Sequence, residues 1–338
     1  MSLLRPAYRV TIGGQQVDSA GAPLANTLTA IDVQLDMDAM AADQATLFAG
    51  QVGAFAPEVG DEVVIALGYA DEDQEVVEVM RGTVAEVRPD VTAERIVCLN
   101  AASRLARQRM AQAFRDSRAE DIVQTMAAEA NVTVARTGQS ELLPYYVIDP
   151  GKSLLRHMAD LAALTGFDLY LTHDDELVFE PFGAGREVLP LAYATDILAF
   201  EVNERPPAHA MVEVYGEGPG AGQGAESWSW LTKDFAPRKG SAGQGTPTLL
   251  LERPVARTAE LAQMVADAAE TRFRRKALTG AVVILGRPSL RLGDAIRLSE
   301  MPDAALNATF QVRALRHRID KRTGFVTDVA FQSIGGLT

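Results

Sequence analysis

The residues that could carry chemistry in this chain are four histidines, an acidic triplet, a run of glycines and one cysteine, and their spacing decides what each can do. His157, His173, His209 and His317 stand apart from one another and from Cys98, so neither an HExxH pair nor a Cys/His metal spacing is present. Asp174-Asp175-Glu176 offers adjacent carboxylates for acid–base work. It lies between two alternating apolar runs, where Asp favours a turn, and no second acid is placed to partner it. Gly216, Gly218, Gly220, Gly222 and Gly224 follow a strand-like segment, as a phosphate loop would. Pro219 interrupts them, Glu226-Ser-Trp-Ser-Trp230 follows in place of an aliphatic helix, and no Walker lysine is present. The sequence therefore assigns no catalytic residue, no metal ligand and no cofactor-binding residue, and the expectation is a protein that is not an enzyme. Cys98 alone excludes an internal disulfide and reads as a small buried residue in a strand.

Trp228 and Trp230 are the only tryptophans, and two-residue spacing puts them on one face of an extended segment. They pack either on their own chain or against a neighbouring subunit or partner, where tryptophan is enriched. They are the candidate interface residues.

Composition is that of an ordinary soluble globular protein, with 47% apolar and 23% charged residues. The net charge of −13 disfavours binding to nucleic acid or to anionic membrane surfaces. It is unevenly spread: Asp71-Glu-Asp-Gln-Glu75 is acidic, whereas Arg272-Phe-Arg-Arg-Lys276 and the stretch from Arg313 to Arg322 are basic. No apolar run is long enough to cross a membrane and no secretion signal opens the chain, so stable membrane insertion is not expected.

Two distant stretches read as copies of one unit. The first runs Pro57-Glu-Val-Gly60-Asp61-Glu-Val-Val-Ile-Ala-Leu, then Gly82-Thr-Val-Ala-Glu-Val-Arg88. The second runs Pro288-Ser-Leu-Arg-Leu-Gly293-Asp294-Ala-Ile-Arg-Leu, then Phe310-Gln-Val-Arg-Ala-Leu-Arg316. A Gly-Asp turn, an alternating run, a polar loop and a second alternating run specify half-buried antiparallel strands. A third strand follows in each, Arg95–Asn100 and Phe325–Phe331. The fold class expected is α+β, mainly β: two related small β-barrels with a helix-helix-hairpin module between them. A two-copy chain that trimerises presents six similar units in a ring.

The expected segments are a first barrel over 1–105, an α+β module over 106–187 and a second barrel over 188–338. The last holds a Gly-rich loop over 216–245 and a long helix over 258–276. Tyr8 to Ile12 with Gly13-Gly14 reads as a strand and hairpin turn, and Leu28 to Met37 as a second strand; Asp38 to Gly50 is open between helical turns and a broken strand. Ser117-Arg-Ala-Glu120 reads as a capping box opening a helix that Asn131 stops. Ser153 to Thr165 reads as a second helix closed by Gly166, and His173 to Glu176 as a hairpin turn. Leu198 to Val202 and Ala210 to Tyr215 read as strands of the second barrel.

Taken together, these stretches resemble the phage late control protein D family, the baseplate hub proteins of contractile tails and the hub part of VgrG-type spikes. Three segments carry the likeness: Gly60-Asp61-Glu-Val-Val with Gly82-Thr-Val-Ala-Glu-Val; Ser153 to Leu169 running on to Glu176-Leu-Val-Phe-Glu-Pro181; and Leu292-Gly-Asp-Ala-Ile with Phe310 to His317. The resemblance implies a homotrimeric hub joining a hexameric inner tube to a trimeric spike among other baseplate proteins. No cofactor is expected, and nothing in the sequence reads as a DNA-binding motif, so no nucleic-acid recognition is expected. With no secretion signal, synthesis and assembly are expected in a bacterial cytoplasm, and the resemblance implies a place in a phage tail or injection-system particle. With Thr338 just past the last strand, a fused spike or lysozyme domain is not expected. The competing readings are a tail-tip peptidoglycan hydrolase, which needs an acid pair or Cys/His site, and a carbohydrate-binding β-module, which needs aromatics along a groove.

Overall fold

The computed structural model describes residues 4–19, 28–50, 56–70, 76–89, 91, 93–183, 187–216 and 239–335. Alternating apolar residues build the N-terminal strands β1 (Pro6–Ile12), β2 (Gln15–Asp18), β3 (Leu28–Asp36), β4 (Gln44–Ala49), β5 (Glu62–Tyr69), β6 (Val77–Pro89) and β7 (Glu94–Leu99). In β3, Ile31, Val33 and Leu35 point inward while Gln34 and Asp36 are exposed. Gly13 and Gly14, both at positive φ, turn β1 into β2. The stretch left open by the sequence, Asp38 to Gly50, contains a strand, β4. The acidic segment 71–75 lies outside the described residues.

Next come α1 (Ala102–Arg107), β8 (Gln112–Arg118), α2 (Ala119–Glu129), β9 (Val134–Thr137), β10 (Leu142–Ile148), α3 (Leu154–Thr165), β11 (Phe167–Leu171) and β12 (Leu177–Pro181). Helix α3 is set locally. The Ser153 hydroxyl accepts the Arg156 N–H at 3.3 Å, Gly166 ends the helix at φ 75°, and Leu154, Met158 and Leu161 fill its buried face. The capping box at Ser117 does not form. Pairing of β8 with β10 holds Ser117 extended, opposite Leu143, and α2 starts only at Ala119. Ser140 takes over the cap: its Oγ accepts the Ala119 N–H at 2.9 Å, and the Glu120 carboxylate accepts the Ser140 N–H at 3.0 Å and hydroxyl at 2.5 Å.

The remaining elements are β13 (Val188–Ala192), α4 (Tyr193–Asp196), β14 (Ile197–Glu204), β15 (Met211–Tyr215), β16 (Lys239–Gly243), β17 (Thr248–Glu252), α5 (Ala259–Arg275), β18 (Leu278–Leu285), β19 (Ala295–Ser299), β20 (Thr309–Asp320) and β21 (Gly324–Ser333). The Gly-rich loop expected over 216–245 is shorter than that, because β16 occupies its end and pairs with β15. Gly240 is there for closeness: a Cβ would sit 2.1 Å from the Ala262 carbonyl oxygen of α5. The strands β16, β15 and β17 form their own sheet, so β15 is not a strand of the duplicated unit. Residues 217–238, with Trp228 and Trp230, lie outside the described residues.

The two expected barrels are not closed. Their strands join in one 13-stranded sheet with the order β14-β18-β21-β20-β3-β4-β7-β6-β5-β1-β2, β19 lying on β20 and β13 on β19. The reason is that β3 takes β20 of the other copy as its second neighbour instead of completing its own circuit.

Duplication reaches the level of single hydrogen bonds. In the first copy the Asp61 carboxylate accepts the Glu58 N–H at 2.8 Å, Gly60 donates to the Val84 carbonyl at 2.9 Å, and Val84 donates to the Asp61 carbonyl at 2.9 Å. In the second, Asp294 accepts from Arg291 at 2.9 Å, Gly293 donates to Val312 at 3.2 Å, and Val312 donates to Asp294 at 2.8 Å. Gly60 and Gly293 both have positive φ, 102° and 81°. Both β6 and β20 carry a bulge one residue later, at Ala85 and Arg313. A second bulge also recurs, at Thr29 in β3 and Leu198 in β14. The copies thus align β3 with β14, β4 with β18, β5 with β19, β6 with β20 and β7 with β21.

Among the described residues two apolar clusters form the core. One runs through both copies, from Ile31, Leu47 and Ile65 to Phe310 and Phe331, whose rings lie 4.7 Å apart. The other unites α2 and α3 with Val212 and Val214 of β15 and with Leu261 and Val265 of α5.

Candidate assembly site

The seam between the copies is where the sequence-derived features converge. Strands β3 and β20 pair antiparallel from Ala30↔Asp320 to Asp36↔Ala314. Across it Arg316 binds Asp32 with Nε at 3.0 Å and Nη2 at 2.5 Å, an exposed bidentate pair. Arg313, the bulged residue, is turned inward to reach two other segments, as bulges re-aim side chains. Its Nη2 lies 2.8 Å and its Nε 3.1 Å from the Asp38 carboxylate, and its Nη1 is 2.6 Å from Asp168 of β11. Gln311 adds a bond to Asp168 at 3.0 Å. Burial alone would raise the Asp38 carboxyl, but the hydrogen bond and charge of Arg313, with Lys276 and Arg272 nearby, hold it below the usual range. Arg313 itself is held well above its ordinary value, because these two acids outweigh its burial. The cluster is structural glue between the two copies and the helical segment.

Beside this cluster lies a groove of about 1140 Å³ between α3, α5 and the seam. Arg272 and Lys276 of the basic run border it opposite Asp38 and Asp160, and Arg275 stacks 3.3 Å from the Phe182 ring centroid. Its lining carries charges of both signs.

The histidines do not gather. His157 is buried in α3, with Nε2 donating to the Asp149 carbonyl at 3.0 Å and its ring edge-on to Tyr146. His209 packs against Phe273. His173 sits 3.2 Å from Asp174, and burial, then Arg291, lowers its pKa. His317 is fully buried in β20, its Nδ1 3.0 Å from the Thr327 hydroxyl, and burial drives its pKa down to about 3. Among the described residues no group of three or more His, Cys, Asp or Glu side chains could hold a metal. Among the same residues no helix is long and apolar enough to cross a membrane.

The acidic triplet is a turn, with Asp175 at φ 66°. Asp175 also accepts the Ala101 N–H at 2.6 Å, docking the hairpin tip on the start of α1, and burial lifts its carboxyl to about 6. Near it Asp43, which accepts N–H groups from Asp36 and Asn100, is pushed up to about 7 by burial, with Asp36 and Asp175 repelling its charge. Cys98 is buried and its thiol is pushed up to about 12 by desolvation, which makes it inert.

Sequence reasoning passed over Arg313 and the bulges. A signal was present: the alternation slips by one residue between Val84 and Val87 and again between Val312 and Leu315, at the same place in both copies.

Solved structures share this fold. The 43 kDa tail protein of prophage MuSo2 from Shewanella oneidensis superposes with a TM-score of 0.71 at 13% identity, over 96% of this chain and 98% of that one. A tail protein from Neisseria meningitidis MC58 gives 0.72 at 13% identity, over 98% and 97%. The fold is that of phage tail proteins. A third similar structure, the E. coli c3393 protein, is a type VI secretion component with structural similarity to the T4 tail proteins gp27 and gp5; it gives 0.58 at 9% identity over 92% of this chain and 74% of its own. No family model matches the sequence, and no curated protein does either.

Proposed function

We propose that this chain is a structural baseplate hub of a contractile tail or injection system, forming a trimeric ring that adapts a hexameric inner tube to a trimeric spike. The observation that supports it is the register-level duplication: three chains each carrying two equivalent strand sets offer six near-equal faces to a six-fold tube and three whole chains to a three-fold spike. The tail-protein fold favours the same reading over a hydrolase or a carbohydrate-binding module. In it, residues 1–105 and 188–338 are the two hub segments and 106–187 the module between them. The chain is made in a bacterial cytoplasm and built into the particle, and other baseplate proteins are its further partners.

Light scattering of the purified chain, alone and with its cognate spike protein, tests the proposal. A mass of three chains, alone or in a complex with three spike chains, is expected. A stable monomer or dimer in the mixture refutes it. The hydrolase alternative is checked by turbidity of a cell-wall suspension, which the protein should leave unchanged.

A further inference from the structure

Because the copies match residue by residue, one predicts what the other lacks. Strand β3 has two neighbours, β4 and β20. Its counterpart β14 has β18 in the place of β4 and, among the described residues, no strand in the place of β20. The strand equivalent to β20 is β6. It pairs with β5 through Val77 to Thr83 and with β7 through Thr83 to Pro89, so among the described residues Glu86, Val87 and Arg88 have a strand on one side only. Each chain therefore holds one filled seam and, on separate parts of the sheet, the two unfilled halves of another.

We infer that β14 of one copy of this chain pairs antiparallel with the Glu86–Arg88 end of β6 in a second copy, in the register of the internal seam. Carried over, Arg316↔Gln34 becomes Arg88↔Asn203, Leu315↔Leu35 becomes Val87↔Glu204, and Ala314↔Asp36 becomes Glu86↔Arg205. The inference rests on the three-chain reading for the number of copies, whereas the pairing comes from the register.

Charge supports it independently. The internal seam is clamped by Arg316 on Asp32. The transferred positions are Arg88 and Glu201, again a cation and an acid, and both are exposed. Within one chain Arg88 meets Glu86 on its own strand, and Glu201 accepts from Asn203 at 3.3 Å. These are local contacts that a facing strand would exchange for cross-strand ones. Glu86 opposite Arg205 adds a second opposed pair.

Burial gives the same answer. Ile31, on the filled seam, is 1% exposed, and its counterpart Phe200 is 41% exposed. Leu198 of the same strand is 58% exposed, and Tyr193 stacks edge-on against Phe200. An open edge that carries large apolar residues is a pairing template unless something covers it. Pro89 stands where β20 has His317 and lacks an N–H, so the new seam should stop there and be shorter than the internal one. Repetition of one edge-to-edge contact from chain to chain is head-to-tail, which closes into a ring when the rotation allows.

The test is a full-length Arg88→Cys/Asn203→Cys variant, oxidised and run without reductant. Directly opposed antiparallel residues have Cα atoms ~4.5–5.5 Å apart, within disulfide range, and buried Cys98 stays silent. Covalent species of two and three chains, and none larger, are expected. A ladder continuing past three chains upholds the edge pairing and overturns the three-chain number. A three-chain mass by light scattering without any linkage overturns the edge pairing and leaves the ring reading standing. A monomer that does not cross-link even with its cognate spike overturns both. As a second readout, Arg88→Glu and Glu201→Arg should each weaken self-association about fivefold, and together restore it. Failure of the double variant to recover would also sink the pairing.

Discussion

Arg313 and Arg316 stand three residues apart on β20 and grip the first copy in opposite ways. Arg316 holds Asp32 at the surface, its side chain 45% exposed, while Arg313, only 12% exposed, holds Asp38 and Asp168 below it. The same sequence feature, an arginine in the second alternating run, thus makes one contact that water shares and one that it does not.

Their removal should differ accordingly. Arg316→Ala should lower stability by no more than about 1 kcal/mol, as exposed pairs do. Arg313→Met leaves buried Asp168 and partly buried Asp38 without the guanidinium that binds both, and should lower it by about 3–5 kcal/mol. Urea unfolding of both variants checks this, and equal losses would mean that the seam is not organised around Arg313.

The two Gly-Asp turns share a conformation but not surroundings. A Cβ on Gly60 meets nothing within 4 Å, so Gly60→Ala should lower stability by only the ~1–2 kcal/mol of left-handed strain. On Gly293 it would come to 2.9 Å from the Tyr170 hydroxyl, and Gly293→Ala should cost more. Melting temperatures should fall in both, further in the second.

Two buried groups give stability opposite dependences on pH. His317, with a folded pKa of about 3 against ~6.5 when unfolded, stays neutral while the unfolded chain takes up a proton, so stability is lost as pH falls from 6.5 towards 3. Asp43, at about 7 against ~3.9 unfolded, keeps its proton longer in the native state, so stability is lost as pH rises from about 4 to 7. His317→Leu should remove the first slope and expose the second in urea titrations between pH 4 and 6.5. Asp175→Asn should lower the Asp43 carboxyl pKa measured by NMR, since it removes a repelling charge.

Trp228 and Trp230 remain the proposed contact residues for a neighbouring subunit or partner. Replacing both by Ala should leave the melting temperature of the chain unchanged and weaken assembly with the spike. In the wild type, tryptophan emission should shift to the blue on mixing. Emission that is already blue and does not move would assign both residues to their own chain.

Features fixed by neighbouring residues were legible in the sequence. Ser153 and Gly166 bound α3 as their spacing implies, and Gly60 and Gly293 make the turns that their Asp partners mark. Features fixed by distant partners were not. Ser117 has the right spacing for a cap, but β10 holds it extended and Ser140, on another segment, does the capping. Gly240 reads as loop because a glycine reports freedom when seen alone; beside Ala262 it reports the close approach of a strand to α5. The seam itself needed the register of β3 against β20, and no run of residues in either strand names its partner.

The recurring bulges have a consequence for how such a sheet can change. An extra residue at Arg313 and at Ala85, and again at Leu198 and Thr29, sets the twist of each strand set through backbone count. In the proposed ring, that twist fixes how far each unit is rotated from the last, and therefore the bore. Side chains along the rim can then drift freely in size and charge, while loss of a single bulge residue in one copy would leave a gap or an overlap at every second joint of the circumference.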